Sequence, residues 1–235
     1  MLLSRRCLLV MLSCALLGAP LVLAGEPNTT KPAVKDPPRH TGFLADIKKM
    51  NGTINLVFVG DSITDGWRGG GKAVWQKNFA VYKALNLGIS GDQTQHVLWR
   101  LQNGELDGYK ARLFVIMIGT NNGGDSAEDV AEGIKAIVKE IQTKQPQAKI
   151  LLLGIFPRGE KPFPHRAKNE ETNKILAKLD DGKTIKYLDI GDKFLNEDKS
   201  MKKDLMPDVL HPNGKGYEVW AEAILPAVKQ MLGVQ

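Results

Sequence analysis

Four short stretches carry side chains whose chemistry is complementary: Gly60-Asp61-Ser62, Gly88-Ile89-Ser90-Gly91-Asp92, Gly119-Thr120-Asn121-Asn122 and Asp208-Val209-Leu210-His211. A serine hydroxyl is a weak nucleophile at its own pKa, and a histidine within reach can take its proton. That histidine needs an acceptor on its second ring nitrogen to fix the tautomer. Asp208 stands three residues before His211, close enough for a tight turn to bring carboxylate to ring. The oxyanion that forms when an ester is attacked needs donors that do not move. The N–H of Ser62, the N–H of Gly91 and the side-chain amide of Asn121 fit that need. The chemistry is acyl transfer to serine, then hydrolysis. Taken singly, each stretch has a plainer reading. Ser62 can cap a helix, Gly-Thr-Asn-Asn can be a turn, and Asp-x-x-His can be an accident of the surface. Ile63 adjoins the nucleophile and Leu210 the base, so either side chain can wall an acyl pocket.

What raises the odds is where the elements would put them. Ser62 ends an apolar run from Ile54 to Val59, and Gly91 follows a second strand, Val81 to Leu87. Asn121 follows a third, Leu113 to Ile118. Lys149 to Ile155 and Thr184 to Leu188 read as a fourth and fifth. Purely apolar runs of this length suit a parallel sheet covered on both faces. Helices are expected between them: Phe43 to Met50, a short one within 67–80, one from Asp92 to Gln102, and one opening at Ser126 and closing before Pro146. Two more are expected, Ala167 to Leu179 and Lys215 to Met231. Asp92 with Gln95 resembles a capping box. Strands alternating with helices predict an α/β three-layer αβα sandwich on a five-stranded parallel sheet. In such sheets the strand ends that carry Ser62, Gly91 and Asn121 share one edge, where ligands bind.

Composition narrows the rest. The chain has 235 residues, of which 43% are hydrophobic and 25% charged, as in an ordinary soluble domain. Arg5-Arg6, an apolar run from Leu8 to Leu23 and Ala24-Gly25 have the layout of a secretory signal peptide, residues 1–24. This predicts a secreted or periplasmic protein with no integral membrane span once the signal is removed. Lipid anchoring through Cys14 is disfavoured by Met11-Leu12-Ser13. Cys7 and Cys14 are the 2 cysteines, so the mature chain would hold neither disulfides nor thiol chemistry. Losing Arg5 and Arg6 leaves 30 basic against 26 acidic residues, +4. The charges are scattered, which argues against a nucleic-acid partner. Residues 25–40, with Pro27, Pro32, Pro37 and Pro38, read as an extended linker, and 41–235 as the single domain. Gly69-Gly70-Gly71 lacks the Lys-Ser or Lys-Thr of a phosphate loop. His96 reads as a structural partner in its helix, His165 as exposed, and His40 as bordering the linker.

Gly60-Asp61-Ser62, Asn86-x-Gly88-x-x-Gly91-Asp92, Gly119-Thr120-Asn121-Asn122 and Asp208-x-x-His211 resemble the four blocks of the SGNH (GDSL) hydrolases. Leu87 to Asp92 with His96 to Leu101, and Gln145 to Ile150 with Pro157 to Pro162, are most similar to the platelet-activating-factor acetylhydrolase catalytic-subunit branch. The resemblance spans residues 40 to 232, with Ile63 the one change inside the first block. It implies a flavodoxin-like sheet, a Ser62–Asp208–His211 triad and an oxyanion hole of Ser62, Gly91 and Asn121, with no metal and no cofactor. The expected activity is a serine esterase acting on short, foremost acetyl, esters. Its substrate would be a small ester, an acetylated carbohydrate or a phospholipid-like molecule. The competing readings are a non-catalytic carbohydrate-binding protein on this fold, which would have lost Ser62, Asp208 or His211, and a flavodoxin-like cofactor binder, which would leave Asp208-x-x-His211 unexplained.

Overall fold

The computed structural model describes residues 26–160 and 163–234; the expected signal peptide lies outside the described residues. Five strands, β1 (Leu56–Gly60), β2 (Ala84–Gly88), β3 (Leu113–Met117), β4 (Lys149–Leu153) and β5 (Ile185–Leu188), form one parallel sheet in the order β2-β1-β3-β4-β5. Side chains alternate between its faces. Val57, Val59, Phe114, Ile116, Ile150 and Leu152 enter one core, with Phe43 and Ile47 of α1 (Pro37–Met50), Val97 of α4 (Thr94–Arg100), Ile134 and Ile137 of α5 (Ala127–Lys144) and Leu176 of α6 (Pro164–Leu176). Leu56, Phe58, Val115, Met117 and Leu151 enter the other, with Trp75 of α3 (Lys72–Asn78) and Trp220 and Ile224 of α7 (Gly214–Leu232). Both faces are covered, which is why the strands carry apolar runs and no polar alternation. A short helix, α2 (Ser62–Asp65), follows β1 directly.

Several boundaries differ from the sequence reading. β2 begins at Ala84, not Val81. Val81 is 69% exposed, and Lys83 at φ 52° turns the chain before the ladder starts. The expected Asp92/Gln95 capping box is absent. Gln93 is the cap of α4, and the His96 ring accepts from the Gln93 N–H at 3.0 Å, because the Asp92 carboxylate is held elsewhere. Part of residues 25–40 does not behave as a linker. Thr29 is fully buried within a tight turn (Asn28–Thr30), and α1 starts at Pro37 with Asp36 as its cap. His40 is buried and hydrogen-bonded to Glu105 at 2.9 Å, and His165 is half-buried against Phe163.

The order β2-β1-β3 makes the chain leave β1 in opposite directions across the sheet. The carboxyl ends of β1 and β3 therefore flank a crevice, the usual place for a ligand in this topology. Gly60 is in register with Gly88 of β2 and Met117 of β3, so three loops leave the sheet side by side, about 4.8 Å apart.

Candidate active site

The turn that carries Ser62 depends on close approach. A Cβ on Gly60 would lie 2.2 Å from Thr64 Oγ1 and 2.4 Å from the Met117 carbonyl, so only glycine fits between α2 and β3. Asp61 then caps α2, its Oδ1 accepting from the Ile63 N–H at 3.0 Å. This carboxyl is 1% exposed. Burial pushes its pKa from 3.8 up to about 7, opposed by the Ile63 N–H and reinforced by nearby Asp92. Ser62 opens the helix with its hydroxyl half-exposed at the crevice. The Tyr217 hydroxyl of α7, in the same core cluster as Ile63, donates to the Ile63 carbonyl at 2.6 Å and fixes the turn.

Ser62 Oγ lies 2.9 Å from His211 Nε2, and His211 Nδ1 lies 2.6 Å from Asp208 Oδ2. The local sequence explains this geometry. Asp208 Oδ1 accepts from the N–H of Leu210 at 3.1 Å and of His211 at 2.7 Å, a turn of the kind aspartate makes with its own backbone. The turn holds Val209 at φ 56°, a left-handed conformation costly for a β-branched side chain. It is retained by bonds from the Val209 N–H to the Met206 carbonyl, 3.0 Å, and from the Gly159 N–H to the Val209 carbonyl, 2.9 Å. Burial alone would raise the Asp208 pKa. The backbone N–H and ring of His211 and the Leu210 N–H outweigh it and hold the carboxyl below its usual range. Asp208 and His211 side chains are 57% and 41% exposed, so their pairing adds little to the stability of the fold. With Asp208 accepting from Nδ1–H, Nε2 is left to accept from the Ser62 hydroxyl.

The other two stretches meet beside this chain. The loop after β2 is a tight turn, Asp92 N–H donating to the Ile89 carbonyl at 3.1 Å, with Gly91 at φ 75°. Asn121 Nδ2 donates to the Asp92 carbonyl at 3.0 Å, which uses one amide hydrogen and leaves the second. Gln93 Nε2 donates to the Asn121 carbonyl at 2.8 Å. Asn122 points the other way. It is fully buried, accepts from the Thr94 N–H at 3.1 Å and donates to Asp125 at 3.0 Å. The sequence reading did not find the buried ion network beneath the loop. Arg100 Nε meets Asp92 Oδ2 at 2.9 Å, and Arg100 also binds Glu105. Its only sequence signal is a charge at Arg100, three residues after Val97, on a helix face that is otherwise apolar.

Ile63 does not wall a pocket. It is 1% exposed and packs in the core with Trp67 and Leu56, because the first turn of α2 aims it inward. Leu210 is half-buried against the same cluster. A cavity of about 650 Å³ opens between α1, α3 and β2, lined by Asp46, Arg68, Lys72 and Trp75; Ser62 and His211 are not among its walls. Among the described residues no group of three or more His, Cys, Asp or Glu is arranged to hold a metal, and no helix is long and apolar enough to cross a membrane.

A model of the GDSL-like lipase/acylhydrolase family matches residues 58–219. The chain belongs to that family. Platelet-activating factor acetylhydrolase IB subunit alpha2 of Rattus norvegicus is 42% identical over 195 residues, 83% of each chain. A GDSL-like lipase from Bacteroides thetaiotaomicron superposes with a TM-score of 0.69 at 19% identity, covering 81% of this chain and 97% of that one. A carbohydrate acetylesterase from Sinorhizobium meliloti does so with 0.60 at 17%, covering 75% and 99%. These two share the fold. This GDSL hydrolase is a carboxylic ester hydrolase, and an ester or phospholipid-like substrate fits its family.

Proposed function

We propose that the chain is a secreted serine esterase that removes short acyl groups, acetyl foremost, through Ser62, His211 and Asp208. The observation that carries this reading is the unbroken chain Ser62 Oγ–His211 Nε2–His211 Nδ1–Asp208 Oδ2, at 2.9 and 2.6 Å. In the first half-reaction Ser62 Oγ attacks the ester carbonyl as Nε2 takes its proton. Asp208 stabilises the imidazolium that results. The oxyanion is met by the N–H of Ser62, the N–H of Gly91 and the free hydrogen of the Asn121 amide. Collapse returns the proton from Nε2 to the leaving alcohol and leaves an acyl-serine. Water, deprotonated by His211, then releases the acid. An intact Ser-His-Asp set argues against a non-catalytic carbohydrate-binding role.

The preference for acetyl draws on the alpha2 relative, named an acetylhydrolase. Leu210, half-buried beside the base, is the remaining candidate wall for the acyl group. Export draws on Arg5-Arg6, the apolar run and Ala24. The test is acid release from p-nitrophenyl acetate, butyrate and octanoate, from acetylated xylan, and from a 2-acetyl phospholipid. Acetate esters should be cleaved faster than octanoate, and an octanoate preference overturns the short-acyl reading. N-terminal sequencing of the exported protein should begin near Gly25, and a chain starting at Met1 overturns the signal peptide.

A further inference from the structure

The segment before α1 is held at three successive points, to α5, to the start of α4 and to the loop after β2. Thr29 Oγ1 donates to the Asp129 carbonyl at 2.6 Å, and Thr94 Oγ1 donates to the Thr29 carbonyl at 3.0 Å. The Ala33 N–H donates to the Gln95 carbonyl at 3.1 Å. Two residues later the Lys35 ammonium donates to the Ser90 carbonyl and lies 3.4 Å from Asp92 Oδ1. It is also 3.1 Å from where a Cβ on Gly91 would sit.

Ser90 and Gly91 are the central residues of the turn from Ile89 to Asp92. A glycine at φ 75° in the third position marks a type II turn. The peptide between Ser90 and Gly91 is one rigid plane, so the Ser90 carbonyl and the Gly91 N–H point in opposite directions. This central peptide separates type II from type I, and glycine permits both. A cation fixed on the carbonyl side selects one orientation. It also polarises the plane, which makes the N–H a stronger donor.

We infer that Lys35 is a positioning residue: it locks the Ser90–Gly91 peptide so that the Gly91 N–H is presented as an oxyanion donor, and the strap 26–36 thereby becomes part of the active site. The inference rests on the proposed role of Gly91. Lys35 is not needed to neutralise Asp92, because Arg100 holds the second carboxylate oxygen at 2.9 Å. The Lys35 side chain is 32% exposed, and removing it leaves the buried Asp92 still paired with Arg100, so no buried charge is stranded. Loss of Lys35 should therefore be felt in the chemical step more than in the fold.

The experiment compares wild type, Lys35→Met, Lys35→Arg and Ser62→Ala on p-nitrophenyl acetate, with thermal midpoints for all four. Lys35→Met keeps the apolar stem and removes the donor. It should lower kcat about tenfold, less than the roughly hundred- to thousandfold typical of deleting a donor outright. KM should stay within about twofold and the midpoint within about 4 °C. Lys35→Arg should restore most of kcat. Wild-type kcat in Lys35→Met overturns the inference, as does a loss that tracks a fallen midpoint and is not restored by arginine. Ser62→Ala separates the two readings. If it stays active, the proposed active site is wrong. If it is dead while Lys35→Met is normal, only the positioning role is wrong.

Discussion

Asn121 and Asn122 are neighbours with opposite surroundings, and exchanging each for alanine should damage the enzyme in opposite ways. Asn121 is half-exposed at the crevice and spends one amide hydrogen on the Asp92 carbonyl. Its second hydrogen is the proposed oxyanion donor. The carbonyl oxygen gains most of its charge only in the transition state, so the donor acts on kcat more than on KM. Asn121→Ala should lower kcat by about a hundred- to a thousandfold. The one lost bond, at a partly exposed site, costs about 1 kcal/mol of stability. For a domain of this size that is roughly 2 to 4 °C in Tm. Asn122 is fully buried and serves Thr94, Gln95 and Asp125. Asn122→Ala strands the Thr94 N–H and empties a polar pocket, a loss of about 3 kcal/mol and so roughly 6 to 12 °C. The assay is steady-state hydrolysis of p-nitrophenyl acetate beside differential scanning calorimetry of both variants. Near-normal kcat in Asn121→Ala, or the larger rate loss in a thermally intact Asn122→Ala, would refute the reasoning.

Asp61 makes stability depend on pH. Its carboxyl is at about 7 in the fold against 3.8 when free, so the fold keeps a proton that the unfolded chain has already released. That contribution is full below about pH 4 and is lost as pH rises to about 7, some 4 kcal/mol at most. Asp61→Asn keeps an acceptor for the Ile63 N–H, so its urea midpoint relative to wild type should rise between pH 5 and 8. Parallel pH profiles would contradict the raised pKa. Ile63→Ala should open a core cavity costing about 2 to 5 kcal/mol without changing the ranking of acyl chain lengths. A shifted ranking at unchanged Tm would return Ile63 to the acyl pocket.

Strand ends were legible because each apolar run stops at a glycine or a polar turn, and both signals have local causes. Gly60 must be glycine because Thr64 and the Met117 carbonyl crowd it. Asp208 and His211 are close in sequence, so one aspartate-backbone turn joins them. The strap 26–36 was not legible. Its prolines and polar residues have linker composition, whereas its anchors are a buried threonine, one backbone N–H and a single lysine, none of which stands out from that composition. Ile63 misled for a different reason. Adjacency to Ser62 says nothing about direction, and the first turn of α2 rotates consecutive side chains by about 100°, enough to carry Ile63 into the core. The cap of α4 moved from Asp92 to Gln93 because Arg100 and Lys35 already occupy the aspartate.

The account stands or falls on Ser62 being an activated nucleophile. A fluorophosphonate probe followed by peptide mass spectrometry measures this directly, on wild type and on Ser62→Ala confirmed as folded by an unchanged Tm. The account predicts one phosphonyl group per wild-type chain, carried by Ser62, and none on the variant. Equal labelling of both proteins, or an adduct on a different residue of the wild type, would contradict it.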